Sequence, residues 1–418
     1  MKREKKREGA RLLHFELSEK NIKLRWIIVG VLLVIATVAL TWGIRYERQR
    51  AEEKSVEPGW YAVESSSAGL HCGHDFVFHY EYGTGTKKPY KENKELTKLY
   101  TKLTENAWKL FYNEAGATSL AGLYQVNSHP NQEVSVDPAL YDAFRMLEEQ
   151  GSRLHYLGPV YAVYDQVFLN GDELIAASWD PGQDAENSAY VQEIARFAAE
   201  PDAIRLELRP DYKVFLHVSE EYAAYLEENV AENCYLDFGW LRNAFVVDYM
   251  AQKLEEKGFT NGSITSLDGF TRNLDRRGTG YRLNIFNRRN GETEQAASME
   301  RNEPSSMVYL RTYDSSRALS FSNGRVVTYM VDGTDGQCKA AMPNLVGYSG
   351  ELSCAEIALR LAPYYIADSF SADGVRSLAT EGCYCIWFEG TQLLYTQQDL
   401  QLVLQNEAYT LAAPTSEE

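Results

Sequence analysis

YLDFGWLRNAFVVDYM, residues 235–250, sets an acidic residue and a glycine directly ahead of a run with helical spacing. The spacing predicts a helix that begins just after Gly239 and carries Asp248 in its early turns. The unpaired N–H groups and positive dipole end of such a start would suit an anionic ligand. The same letters also suit an ordinary entry that Asp237 helps to cap, and taken by itself the segment favours the cap. The surrounding chain has to decide.

Downstream the helix pattern runs through LRNAFVVDYMAQKLEEKG, closed by Lys257 and Gly258, and an Asn261-Gly262 turn then leads into a strand. Further helices are predicted over KENKELTKLYTKLTENAWKLFYN, with Leu96, Leu99, Tyr100, Leu103 and Leu110 on one face, and over PALYDAFRMLEEQG, between Pro138 and Gly151. AYVQEIARFAAE and SCAEIALRLAPYY read the same way. VFHYEY, residues 77–82, alternates as a strand, short strands dominate residues 281–329, and CYCIWFEGTQLLYT folds back at Glu389-Gly390 as a closing hairpin. Helices and strands in mixed order, with several hairpins, predict a single α+β domain rather than a doubly wound one.

The chain has 418 residues and a formal net charge of −17. Nine of its 42 Lys and Arg but only four of its 59 Asp and Glu lie in residues 1–25, so the remainder is strongly anionic. Such a body is a poor partner for a phosphate backbone, and nucleic acid is excluded as a ligand class. The basic start is followed by WIIVGVLLVIATVALTWGI, residues 26–44, 19 residues without a charge. That length just crosses the hydrocarbon core as a helix, and a tryptophan sits near each end. No small-residue cleavage site follows, so the run reads as a membrane anchor rather than a removed signal peptide. Arg45, Arg48, Arg50 and Lys54 are fewer than the nine basic residues before it. The charge bias therefore predicts a cytoplasmic tail over 1–25, a transmembrane helix over 26–44, and everything beyond outside the cell membrane. Residues 45–70 read as a polar stalk, 71–396 as the domain, and 397–418 as a frayed tail.

Six cysteines are scattered at 72, 234, 338, 354, 383 and 385. Their spacing gives no disulfide framework, and Cys383 and Cys385, two apart on a strand, share a face and read as packing. HCGH, residues 71–74, has metal-ligand letters but no partner pair elsewhere.

DFGWLRNAFVVD followed by GFTNGSITSLDGFTRNL resembles the ApbE-like family, the FAD:protein FMN transferases. The pattern of that family runs roughly Asp-Leu-Gly-Gly-Ile-Ala-Lys-Gly-Tyr-Ala-Val-Asp and then a strand ending Gly-Gly-Asp. GSRLHYLGP, residues 151–159, keeps the length and closing Gly-Pro of another family segment, and TSLAGLYQVN ends on Asn127 where the family has an asparagine. LRTYDSSRALSFSNGRVVTYMVDGTDG, residues 310–336, lies without a gap on the stretch from Thr-Ser-Gly to His-Ile-Ile-Asp-Pro-x-Thr-Gly, and CAEIALRL falls on Ala-Asp-Ala-Leu-Ala-Thr.

The resemblance covers residues 71–396 in the right order. It implies an enzyme that cleaves the pyrophosphate of FAD with the help of magnesium, moves FMN onto a threonine of an extracytoplasmic redox protein and releases AMP. Asp237, Gly239 and Asp248 match the helix motif, Gly269 the glycine pair and Thr312 the threonine, which makes them the implied flavin-nucleotide contacts. Asn243 stands at the lysine and Asp268 at the first glycine, and by position both belong to the same implied set of cofactor contacts. Tyr329 takes the place of the histidine and Asp332 keeps the aspartate, the two implied catalytic positions. Glu356 takes the metal-binding aspartate and Arg360 the metal-binding threonine. Glu and Arg four apart on a helix are expected to pair with each other, which would fill the space of a cation. EAGATS, residues 114–119, is similar to a flavin-acceptor sequence with its threonine at Thr118, although a plain loop explains it more simply.

Three functions follow: an FMN transferase with a remodelled site, a non-catalytic descendant that binds a flavin nucleotide or a partner protein, and an unrelated extracellular domain. Bound FAD separates the first two from the third, and AMP release separates the first from the second.

Overall fold

The computed structural model describes residues 37, 39, 41–43, 45, 56–66, 72–117, 121–168, 172–229, 234–313, 318–328, 330–398 and 400–412. Residues 1–57 with Lys88–Tyr90 form one compact unit and the rest of the chain a second. In the first unit the described residues from 37 to 45 are helical. Most of the predicted anchor, 26–44, lies outside the described residues, and among those described no helix is long and apolar enough to cross a membrane.

The second unit is organised by one nine-stranded sheet whose strands follow one another in space as they do in sequence. They are β1 (Gly59–Val63), β2 (Phe76–Tyr82), β3 (Gly262–Ser266), β4 (Phe270–Asn273), β5 (Ser305–Arg311), β6 (Asn344–Ser349), β7 (Tyr384–Glu389), β8 (Gln392–Tyr395) and β9 (Thr410–Ala412). Every pairing is antiparallel except the last, β8 with β9. The strands obey the two-residue period: along β2, Phe76, Phe78, Tyr80 and Tyr82 are buried and the residues between them are more open. Gly390 closes the β7–β8 hairpin at φ +62, where the sequence places the turn.

Residues 83–261 form a long excursion between the neighbouring strands β2 and β3. It begins with helix α1 (Pro89–Phe111), ends with α2 (Arg242–Glu256), and includes a small sheet of Glu133–Ser135, Lys213–Val218 and Ile204–Arg209. Helix α2 packs on β3 and β4, helix α3 (Cys354–Tyr365) packs on β5 and β6, and the two helices touch. On the opposite face, the hairpin Tyr281–Arg289 and Glu292–Arg301 lays Leu283, Ile285, Ala297 and Met299 on Met307, Tyr309, Val346, Tyr348, Ile386 and Leu393. Each fully buried aliphatic side chain there contributes about 1.5–3 kcal/mol. The result is the expected α+β domain, with helices on one face of the sheet and a hairpin layer on the other.

Two expected boundaries are corrected. The domain begins by Gly59 rather than at 71, because residues 59–63 of the supposed stalk add β1 to the edge of the sheet. The segment from 397, expected to fray, instead stitches two sheets together: Leu402–Leu404 pairs with the hairpin layer and Thr410–Ala412 with β8. Its anchors are Leu400, Leu402 and Leu404 against the hairpin core and the buried Tyr409, whose hydroxyl donates to Glu294 at 2.6 Å.

Candidate functional site

The entry to α2 is closed by the chain's own groups. Asp237 Oδ1 accepts from the Gly239 N–H and from Arg242 Nη2, both at 2.6 Å. The guanidinium of Arg242 also lies 4.6 Å over the Tyr112 ring and 3.6 Å from Asp165. Gly239 has φ +53, and a Cβ there would stand 2.4 Å from the Tyr161 ring. Neither reading of residues 235–250 holds as expected: no side chain caps α2 or the 3-10 turn Gly239–Leu241 before it, and the Asp237 carboxylate is taken up by the Gly239 N–H and the Arg242 guanidinium.

The strand-like segment before it is held equally tightly. Asn127 donates to the Leu236 carbonyl and accepts from its N–H, each at 2.8 Å. A Cβ on Gly158 would lie 2.3 Å from the Cys234 carbonyl oxygen. These motif residues therefore build the framework behind the site.

Asp248, assigned to a ligand by the resemblance, points to helix α3. Its two oxygens accept the N–H groups of Cys354 at 2.9 Å and Ala355 at 2.8 Å, and Arg272 lies 3.3 Å away. Burial pushes its carboxyl above the ordinary range, against the opposing pull of Arg272 and the two amides. Asp248 thus ties the α2 motif to the first turn of α3.

Asn243 and Asp268, the departures at the lysine and first-glycine positions, are both buried and meet each other at 2.9 Å through Nδ2 and Oδ2. Gly269 has φ +103, and a Cβ there would come 2.5 Å from the Tyr309 carbonyl oxygen. It borders a groove of about 420 Å³ that also takes in His79, Thr265, Tyr309 and Arg311. Thr312 is fastened at the end of β5, its N–H donating to the Pro343 carbonyl at 2.9 Å.

The expected Glu356–Arg360 pair does not form. Ser353 and Glu356 make a capping box, with the Glu356 carboxylate accepting the Ser353 N–H at 2.8 Å. Arg360 instead reaches Glu381 at 3.2 Å and the Glu356 backbone carbonyl at 3.1 Å. The correction has a simple cause: the Ser353 N–H at the start of α3 binds the carboxylate locally, leaving the guanidinium to find a partner in Glu381, well beyond the helix. Magnesium does not fit at Glu356, because its carboxylate is engaged and the neighbouring ligand position carries a cation. Among the described residues no group of three His, Cys, Asp or Glu side chains is arranged to hold a metal ion. His71 and Thr118 lie outside the described residues, and the six cysteines are free thiols.

Three of the segments that carry the resemblance do converge, at a place that the α2 motif and the Asp268-Gly269 turn do not line. A cavity of about 460 Å³ is lined by Arg153 and Leu154, by Asp332 and Thr334, and by Leu359 and Ile366 at the far end of α3. Its size and mostly apolar walls suit a small organic ligand. Asp332 Oδ1 accepts from the Thr334 N–H at 2.8 Å and hydroxyl at 2.7 Å, while Oδ2 accepts from Lys339 at 2.8 Å. Burial would raise the Asp332 carboxyl, but Lys339 and Thr334 outweigh it and hold the group below its ordinary value. Arg153 is committed to the carbonyls of Ala198 and Ile204 at 2.8 and 3.1 Å and stacks 4.1 Å over Tyr156. Behind this wall His155 is buried, which lowers its pKa against the pull of Glu148 at 3.2 Å. Tyr329, the other expected catalytic residue, lies outside the described residues.

No family model matches the sequence, and no curated protein matches it. Solved structures do. The ApbE protein of Thermotoga maritima MSB8 superposes with a TM-score of 0.54 at 10% identity, over 78% of this chain and 93% of that one. The apo flavinyl transferase ApbE of Pseudomonas stutzeri gives 0.50 at 12% identity, over 85% and 96% of the two chains. The chain has the ApbE-like fold.

Proposed function

We propose that this is a membrane-anchored, flavin-transferase-like protein that holds a flavin nucleotide outside the cell membrane, and that it binds without carrying out metal-assisted FMN transfer. The observation that carries the reading is the cavity walled by Arg153–Leu154, Asp332–Thr334 and the far half of α3. Three segments distant in sequence, each part of the resemblance, border it within a fold similar to that of a flavinyl transferase. Apolar walls suit a planar ring, and the Thr334 and Asp332 edge supplies the few polar groups that would orient one.

Transfer needs an oxygen-rich cation site and a base, and these are where the chain departs. Glu356 caps a helix, Arg360 replaces an oxygen ligand, Asp332 has both oxygens engaged, and a tyrosine stands at position 329. A phenol with an ordinary pKa of about 10 is a weak base near neutrality. Extracytoplasmic placement, supported by the basic residues ahead of 26–44, and a redox-protein partner, implied by the resemblance alone, are part of the same proposal.

The test is a titration of the full chain with FAD and with FMN, read by flavin anisotropy, with and without EDTA, together with an assay for AMP and for FMN on an acceptor domain. Binding that EDTA leaves unchanged, with no AMP, is the expected result. Absence of binding sinks the flavin reading; magnesium-dependent AMP release with an FMN adduct sinks the non-catalytic one. Protease added to intact cells should remove the domain beyond Lys54, and full protection would reverse the topology.

A further inference from the structure

The hairpin layer stops short of covering the sheet beneath it. Its three strands run in the order Leu402–Leu404, Glu292–Arg301, Tyr281–Arg289, so Tyr281–Arg289 is an edge among the described residues. Its buried side chains lie over β5 to β8, on Met307, Tyr309, Val346, Tyr348, Ile386 and Leu393. Past that edge the same face of the sheet continues as the row Val77, Thr265, Thr271, Met307, aligned across β2, β3, β4 and β5. The groove of about 420 Å³ is the space between, with Val77, Thr265 and Thr271 along the sheet and Tyr281, Arg282 and Asn284 along the hairpin.

The backbone of the hairpin wall is open. Glu300 donates its N–H away from Tyr281–Arg289, to the Gln401 carbonyl at 3.3 Å. Arg282, which stands opposite Glu300, therefore turns its own N–H and C=O the other way, into the groove. The two-residue period gives Asn284 the same direction. At Phe286, next in the series, the Tyr309 hydroxyl takes both backbone groups: it accepts the N–H at 3.0 Å and donates to the carbonyl. That contact closes one end of the open stretch.

The groove also has a sign. The chain carries a net charge of −17, yet among the described residues no Asp or Glu lines this recess, whereas His79, Arg282 and Arg311 do. Arg311 donates to the Leu267 carbonyl at 2.9 Å, and Arg282, with 59% of its side chain exposed, reaches Glu300 at 2.6 Å. An exposed bridge of that kind is worth at most about 1 kcal/mol and gives way to another carboxylate.

We propose that this groove docks an extended, acidic segment of a partner protein, which adds a strand to the Tyr281–Arg289 edge and lies across the uncovered sheet face. Arg282 and Asn284 offer their N–H and C=O groups to it, the mode of recognition in which main-chain pairing gives affinity and alternate side chains give specificity. Side chains turned inward meet Val77, Thr265 and Thr271, which suits small or β-branched residues. Those turned outward flank Arg282, which suits Asp and Glu. The groove shares no lining residue with the cavity beside Asp332, so its occupant is independent of what that cavity holds.

The experiment takes the full chain in detergent and two fluorescein-labelled seven-residue peptides, one alternating Val and Asp and the other Val and Lys, read by fluorescence anisotropy. The Asp peptide should bind at least about tenfold more tightly, and Arg282→Glu should narrow or reverse that preference. N-methylation of the Asp peptide on the amides that pair with the edge should weaken it by about tenfold. Asn284→Pro removes one groove-facing N–H and no hairpin bond, and should act the same way, since proline is tolerated on an edge strand. Amide hydrogen exchange reads the native chain directly: Arg282 and Asn284 should exchange fast alone and slowly with the Asp peptide bound. Equal binding of the two peptides, no binding of the Asp peptide, or an affinity untouched by N-methylation overturns the proposal. Slow exchange at both amides in the free chain overturns it as well, because the edge is then already filled by another segment of this chain or by a second copy.

Discussion

Asn243 donates its side-chain amide to Asp268 at 2.9 Å, joining helix α2 to the turn between β3 and β4. These are two positions at which the sequence departs from the pattern it resembles, and both side chains are buried. A buried carboxylate that loses a hydrogen-bond donor costs about 1–3 kcal/mol. Asn243→Leu should therefore destabilise the domain by that order, and Asp268→Asn should cost less. Urea unfolding of both single variants and the double variant should give a coupling of about 0.5–3 kcal/mol. Strict additivity would show that the two residues are independent and that the contact carries no energy.

Gly239 is fixed by two constraints that add. Its φ of +53 lies in the left-handed region, and a Cβ would press on the Tyr161 ring. Strain at such a position costs about 1–3 kcal/mol, with an overpacking cost on top. Gly239→Ala should lower stability accordingly, and Tyr161→Leu should recover the packing part but not the backbone part. If Tyr161→Leu recovers nothing, the ring is not what limits the position.

Acid stability should depend on Asp275, in the turn after β4. Burial alone would raise its carboxyl, but Arg277 and Thr279, which donate to it at 2.6–2.9 Å, hold it at about 2. Arg277 also reaches Glu81 on β2 at 2.8 Å. A depressed carboxyl contributes stability that is fully present above its unfolded pKa of about 3.9 and is lost as pH falls through the folded value. Asp275→Asn should thus flatten the fall in stability between about pH 4 and pH 2. An unchanged acid limb in Tm against pH would rule the group out.

What the sequence made legible were elements with both a period and a punctuation mark. Helix α2 has Gly239 just ahead of it, α3 its Ser353 box, and the β7–β8 hairpin its Gly390. Ile204–Arg209 and Lys213–Val218 alternate just as clearly and pair with each other, yet the pairing of Lys213–Val218 with Glu133–Ser135 is set by a partner far away in the chain. The order of the motif segments was legible, and so was their approach to one another. The direction of their carboxylates was not. Asp237 and Asp248 could face a ligand or the fold; for Asp237 the choice rests on the nearby Arg242, and for Asp248 on the amides of Cys354 and Ala355, which only tertiary packing brings near.

Restoring a threonine at the α3 position, Arg360→Thr, would supply the oxygen missing from the resemblance. It should still create no magnesium or manganese site. The Glu356 carboxylate remains bound by the Ser353 N–H at 2.8 Å, and freeing it would strip the first turn of α3 of its cap, at a cost of about 0.5–2 kcal/mol. The lost Arg360–Glu381 bridge is partly exposed and should matter by at most about 1 kcal/mol. Thermal unfolding should therefore place Arg360→Thr close to the native protein, and a manganese titration should find no uptake. Manganese binding by Arg360→Thr that Glu356→Gln then removes would show that the capping box yields to a metal, and would return the cation site to the start of α3.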